Sequence, residues 1–158
     1  MPITTAAGTK VSIGTTSPMT DATTYEADTW VAIANIQDVG EAGSEAEIVI
    51  GKYVDQTYAR KLKGSRDNGT MELVVARDSS DAGYAALVAA EQSSAAYNFQ
   101  VELNDKPATG ASPKNSKFYF SAIVASRKNS FKGADDIVNT TFSLAISGAI
   151  LEVAASAT

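Results

Sequence analysis

Carboxylates are the side chains here with most scope for chemistry, and three pairs lie close together in sequence: Asp135 with Asp136, Glu45 with Glu47, and Asp78 with Asp81. Two carboxyls at short range can divide acid and base roles or hold a divalent cation. Each pair also has a plain structural explanation. Asp135 and Asp136 follow Lys132 and Gly133 in a turn-like run, Asp78 and Asp81 stand where a helix cap belongs, and Glu45 and Glu47 sit in a polar stretch. The sequence contains no cysteine and no histidine. That excludes disulfides, thiolate or imidazole metal ligation, a cysteine nucleophile and a Ser-His-Asp triad. EF-hand and P-loop spacings are absent, and Gly64-Ser65-Arg66 lacks the flanking Gly and Lys of a phosphate cradle. The expectation is a chain with no catalytic, cofactor or metal residues.

Charge narrows the function further. Thirteen Lys and Arg stand against 18 Asp and Glu, a net charge of −5 with pI near 4.7, which argues against binding nucleic acid through phosphate neutralisation. The signs are segregated. Arg60, Lys61, Lys63 and Arg66 form a basic cluster, preceded by Asp21, Glu26, Asp28, Asp38, Glu41, Glu45, Glu47 and Asp55 with Lys52 alone among them. Solvated loop charges, a nucleic-acid patch with Tyr58 nearby, and complementarity between copies of the chain all fit the cluster, the second least well because of the net acidity.

At 158 residues with 44% hydrophobic and 20% charged side chains, the chain has the size and composition of one folded domain, residues 1–158. Residues 9–14 alternate Val11 and Ile13 with Lys10 and Ser12, which predicts a strand. Residues 15–29, rich in Thr, Ser and Asp with Pro18, read as a long surface loop. Trp30, Val31, Ile33, Ile36 and Val39 suggest one or two short strands before a turn at residues 40–43. Residues 42–68 read as a long loop that still carries Ile48, Val49, Ile50, Tyr53, Tyr58 and Leu62.

An Asn68-Gly69 turn launches a strand over residues 70–76, and residues 81–93 form the one helix, with Tyr84, Leu87 and Val88 as a stripe lying on a sheet. Strands follow at residues 97–103, 117–126 and 138–146, the last the longest signal, while residues 150–158 read as a C-terminal arm. Six to eight strands and one helix predict a mainly β architecture, a β-sandwich or barrel with one flanking α-helix. The start of the chain has neither a basic region nor an apolar run of the secretory kind, and no segment reaches the roughly 18 apolar residues of a spanning helix.

The runs Trp30-Val-Ala-Ile-Ala-Asn-Ile-Gln-Asp-Val-Gly-Glu-Ala-Gly43, Lys61-Leu-Lys-Gly-Ser-Arg-Asp-Asn-Gly69, Asp81-Ala-Gly-Tyr-Ala-Ala-Leu-Val-Ala-Ala-Glu91 and Tyr97-Asn-Phe, in that order, resemble the tail tube (major tail) proteins of long, flexible, non-contractile tailed bacteriophages of the siphovirus type. The resemblance spans residues 11–148. It implies a tube fold shared with the inner-tube protein of type VI secretion, six copies per ring, and rings stacked into a conduit through which viral DNA passes without specific binding. It further implies a virion component made in the host cytoplasm, with tape measure, terminator and distal tail proteins as partners.

By the same resemblance, residues 42–68 reach the neighbouring ring through Glu45, Glu47, Ile48, Tyr53, Arg60, Lys61, Lys63 and Arg66, and terminal arms at residues 1–8 and 150–158 bridge subunits. A wall facing DNA should be small, polar or acidic, because cations would retain phosphates. Thr70, Glu72, Asn98, Gln100, Glu102, Thr141 and Ser143, each opposite an apolar row, fit that wall. The alternatives are another ring-forming protein of the same fold, such as a tail terminator or secretion-tube subunit, or a β-sandwich binding module.

Overall fold

Val11 and Ile13 are buried while Lys10 is exposed, so the first alternating run is a strand with one face in the core, β1 (Lys10–Ile13). The computed structural model describes residues 3–158. Among them β1 is followed by α1 (Ala22–Glu26), β2 (Val31–Ile33), β3 (Ile36–Asp38), β4 (Glu45–Gly51), β5 (Arg60–Asp67), β6 (Thr70–Ala76), α2 (Ala82–Gln92), β7 (Tyr97–Glu102), β8 (Lys117–Ser130) and β9 (Asn139–Val153). Seven strands make one antiparallel sheet in the order β2-β1-β7-β8-β9-β6-β3, and β4 and β5 pair only with each other. The two edge strands of the large sheet, β2 and β3, are separated in sequence by just Ala34 and Asn35. The sheet must therefore curl until its ends lie side by side, and Asn35 makes the turn at φ +59°. The protein is mainly β, as the periodicity predicted.

The concave face holds the core. Phe99 lies opposite Phe120, Leu73 opposite Phe142 and Met71 opposite Leu144, and all six are buried. The helix α2 starts where Asp81 caps it, the carboxylate Oδ2 accepting from Tyr84 N at 3.1 Å and from Ala34 N at 3.1 Å. One side chain thus caps the helix and ties it to the β2–β3 link. Tyr84 and Leu87 are buried, Val88 is half-buried against the core, and Tyr84 donates or accepts at Thr140 Oγ1 over 3.1 Å.

Two expectations are corrected here. Residues 15–29 are not a loose loop, because they fold over the convex face of β1, β7 and β8. Asp21 caps α1, and Tyr25 is buried in a stack on Tyr119 with ring centroids 5.0 Å apart. Trp30 Nε1 donates to Tyr25 O at 2.9 Å. Asp28 accepts from Thr15 N, Thr15 Oγ1, Asn98 Nδ2 and Thr29 N. Burial opposes ionisation of Asp28, but the hydrogen bonds from Asn98, Thr15 and Thr29 outweigh it and hold the carboxyl below its ordinary value of 3.8. A segment poor in aliphatic residues is ordered by one aromatic anchor and one carboxylate. Beneath it the Tyr119 hydroxyl is buried without a partner among the described residues, and burial together with the charges of Glu26 and Glu102 pushes its pKa up to about 12.

Asp28→Ala is expected to cost about 2–3 kcal/mol, since it removes several charge-assisted bonds and leaves the Asn98 amide short of an acceptor. A depressed carboxyl contributes stability above its unfolded pKa and loses it as pH falls through the folded value. Denaturant titrations should therefore show the variant losing less stability than the parent on acidification below about pH 4. Equal stability at neutral pH would rule out the clamp.

The C-terminal arm is also corrected. Val153, Glu152 and Leu151 continue β9 against Lys117, Phe118 and Tyr119, and Lys114 N donates to Ser156 O at 2.7 Å. The break that hid this continuation is a bulge around Gly148, whose φ is +86°. Of the N-terminal arm, residues 1 and 2 lie outside the described residues.

Candidate assembly surfaces

Two of the three carboxylate pairs contain groups with local structural roles, while Glu45 and Glu47 lie exposed on β4. Asp78 Oδ1 accepts from Ser80 N, Asp81 caps α2, and Asp136 Oδ2 accepts from Gly133 N. Among the described residues no three His, Cys, Asp or Glu side chains gather as a metal site.

The stretch 42–68 is a hairpin, not a loop. Glu45 pairs with Asp67, Ala46 with Arg66, Ile48 with Lys63, Val49 with Leu62, Ile50 with Lys61 and Gly51 with Arg60. Its β-branched residues favour the extended backbone, but neither face rests on the core. Ile48, Val49 and Ile50 are 50–54% exposed, Tyr53 is 55% and Leu62 68%. Ile48 and Ile50 share a face with Lys61 and Lys63, since directly opposed residues point the same way. Glu45, Glu47, Arg60 and Arg66 are exposed on the same two strands. A two-stranded ribbon with uncovered apolar side chains is marginal in water by itself, and apolar surface of this kind marks a contact site.

The residues predicted for a polar wall separate into two groups. Asn98 and Gln100 are buried, so they are not available as wall residues. Asn98 Nδ2 donates to Ser17 O at 2.8 Å and to Asp28 Oδ2 at 3.1 Å, and Gln100 stands between Ser12 and Tyr119 on the covered part of the convex face. Alternation identified their face correctly but not the segment that lies on it. Glu102 is half-buried and accepts from Asn115 Nδ2.

Thr70, Glu72, Thr141 and Ser143 remain together. Glu72 lies opposite Ser143 and Val74 opposite Thr141, and the patch continues through Ala145 to Ile123 and Ser121 on β8. Thr70, Glu72 and Ile123 are exposed, and Thr141, Ser143, Ala145 and Ser121 are half-buried. This uncovered part of the convex face mixes polar side chains with Val74, Ala145 and Ile123, and it carries one charge of each sign, Glu72 on β6 and the exposed Lys128 directly opposite Thr141 on β8. Ile123 is the member that the polar-wall criterion missed, and its place follows from the β8–β9 register.

A curled antiparallel sheet, closed by a helix and carrying an uncovered hairpin, is the architecture of a subunit that associates. Residues 4–155 match the family model of the phage tail tube protein, TTP, and the chain belongs to that family. It is a structural tail tube subunit. Comparison with curated protein sequences finds no match. Among solved structures, the SPP1 tail tube is similar over 91% of this chain and 75% of that chain, with TM-score 0.66 and 21% identity. A chain of the anti-feeding prophage baseplate is similar over 98% and 97%, with TM-score 0.68 and 10% identity. The sheath/tube terminator structure of the extracellular contractile injection system PVC gives TM-score 0.64 at 13% identity over 98% of each chain. At these identities the likeness is one of fold, and the family match is to a tube protein.

Proposed function

We propose that six copies of this chain close into a ring, that rings stack through the β4–β5 hairpin, and that the uncovered convex patch of Thr70, Glu72, Thr141 and Ser143 lines a channel for viral DNA. The subunit acts by geometry and not by catalysis, and its ends in the virion meet tape measure, terminator and distal tail proteins. The observation that carries the stacking role is the hairpin, whose large apolar residues remain half or more exposed among the described residues. A net charge of −5 supports the conduit, because a wall that does not neutralise phosphates leaves the polymer mobile.

Negative-stain microscopy of the purified protein should show rings or tubes about 100 Å across, the scale of six small domains around a channel. Thr141→Lys should assemble and then retain short DNA in a salt-dependent manner. Monomers at every concentration would reject the tube, and tubes of the lysine variant that hold no DNA would reject this patch as the wall.

A further inference from the structure

Asn68 and Gly69 are the whole link between β5 and β6, and they join the hairpin to the main sheet. Because β4 and β5 pair only with each other, the set of the hairpin depends on its two connections, of which this is the shorter. Three hydrogen bonds hold it. Ile146 N on β9 donates to Gly69 O at 3.0 Å, Gly69 N donates to Asp67 Oδ1 at 2.9 Å, and Asn68 Nδ2 donates to Gly148 O in the β9 bulge. Gly69 takes φ +70° and Gly148 φ +86°, and a Cβ on either would meet nothing within 4 Å, so conformation and not packing calls for glycine at both.

The same two residues carry a reaction. Asn68 alone among the asparagines of the sequence is followed by glycine. Asparagine is thermolabile because the backbone nitrogen of the next residue can attack its side-chain amide, and a glycine there has no Cβ to hinder the approach. In that step Gly69 N gives up its proton to solvent hydroxide and bonds to Asn68 Cγ, the Cγ–Nδ2 bond breaks, and ammonia leaves with a proton taken from water. Water then opens the five-membered imide at either carbonyl, giving aspartate or its isoaspartate isomer. The net change is water in and ammonia out, with nothing oxidised or reduced.

We infer that Asn68 is a modification site, a deamidation site that the fold guards and whose conversion detaches the base of the hairpin from β9. The Asp67 carboxylate accepts from the very nitrogen that must lose its proton, and a negative acceptor there opposes deprotonation. The leaving amide is itself held on Gly148 O. Detachment follows from the product. A carboxylate at position 68 has no proton to donate to Gly148 O, and it adds a negative charge next to Asp67, which already faces Glu45 across the hairpin. The isoaspartate isomer also places an extra carbon in the main chain of a two-residue link, which displaces Gly69 O from Ile146 N.

Trypsin releases residues 67–77 as one peptide, because Arg66 and Arg77 bound a stretch without Lys or Arg. Mass spectrometry of that peptide after incubation at mildly alkaline pH should show Asn68 converting about tenfold or more slowly in the folded subunit than in guanidinium, where the reaction no longer waits for local opening. Asp67→Ala, at an exposed position, should speed the folded reaction and leave the unfolded one unchanged. Equal rates in folded and unfolded chains, or no conversion in either, would overturn the guarded site, and an Asp67→Ala rate equal to the parent's would remove Asp67 as the guard. Asn68→Asp, which fixes one product, should raise hydrogen exchange at the Ile146 amide while Phe142, paired on both sides by β6 and β8, exchanges as in the parent. Parent-like exchange at Ile146 would overturn the detachment.

Discussion

Gly83→Leu is expected to destabilise the subunit by about 3 kcal/mol, the upper range for overpacking a filled site. A Cβ at this position would lie 2.3 Å from Ala32 O and 2.6 Å from Ile33 Cα, which are backbone atoms of β2 with no rotamer to yield. The helix would have to lift from the sheet, withdrawing Leu87 and Tyr84 from the core. The smaller change is the more telling one. In a solvent-exposed helix Gly→Ala stabilises by about 1 kcal/mol, whereas Gly83→Ala should destabilise, because the methyl meets the strand before propensity can count. Urea unfolding of both variants measures this, and a stabilised alanine variant would show that α2 is not seated on β2 as described.

The second large effect falls on assembly and not on folding. Ile48→Asp combined with Ile50→Asp should leave subunit stability within about 0.5 kcal/mol of the parent, as for other exposed positions. The same pair should raise the concentration needed to form tubes roughly 100-fold. Covering two half-exposed isoleucines is worth about 3 kcal/mol together at 25 cal/mol per Å² and methylene-scale burial, and each 1.4 kcal/mol is tenfold in affinity. Sedimentation of assembled material against total concentration, with thermal unfolding of the dilute subunit beside it, separates the two effects. Unchanged assembly would remove the hairpin from the interface, and a lost melting transition would show that its apolar face supports the fold.

The sequence was most informative where one face of an element is buried and the other wet. Val11 and Ile13, Met71 to Val75 and Phe142 to Ile146 alternate because the core lies on one side only, and alternation is a local property that survives without knowledge of the partner strand. The helix of residues 82–92 was legible for the same reason, with Asp81 as its cap. The hairpin was not legible as strands. Ile48-Val49-Ile50 and Arg60 to Asp67 have no core to one side, so nothing selects a period of two.

What the sequence determined by itself is therefore the mainly β class, the positions of the core-facing residues, the exclusion of cysteine and histidine chemistry, and the acidic charge balance. The tertiary structure decided which polar faces are free. Asn98 and Gln100 have the same alternating pattern as Thr141 and Ser143, yet the first two lie beneath Asp28 and Tyr25 while Thr141 and Ser143 lie in the uncovered patch. It also decided that residues 150–153 extend β9 and that residues 15–29 form a clamp. Each of these depends on contacts between residues tens of positions apart. Local periodicity records which way a side chain points, but only the folded chain sets what it meets there.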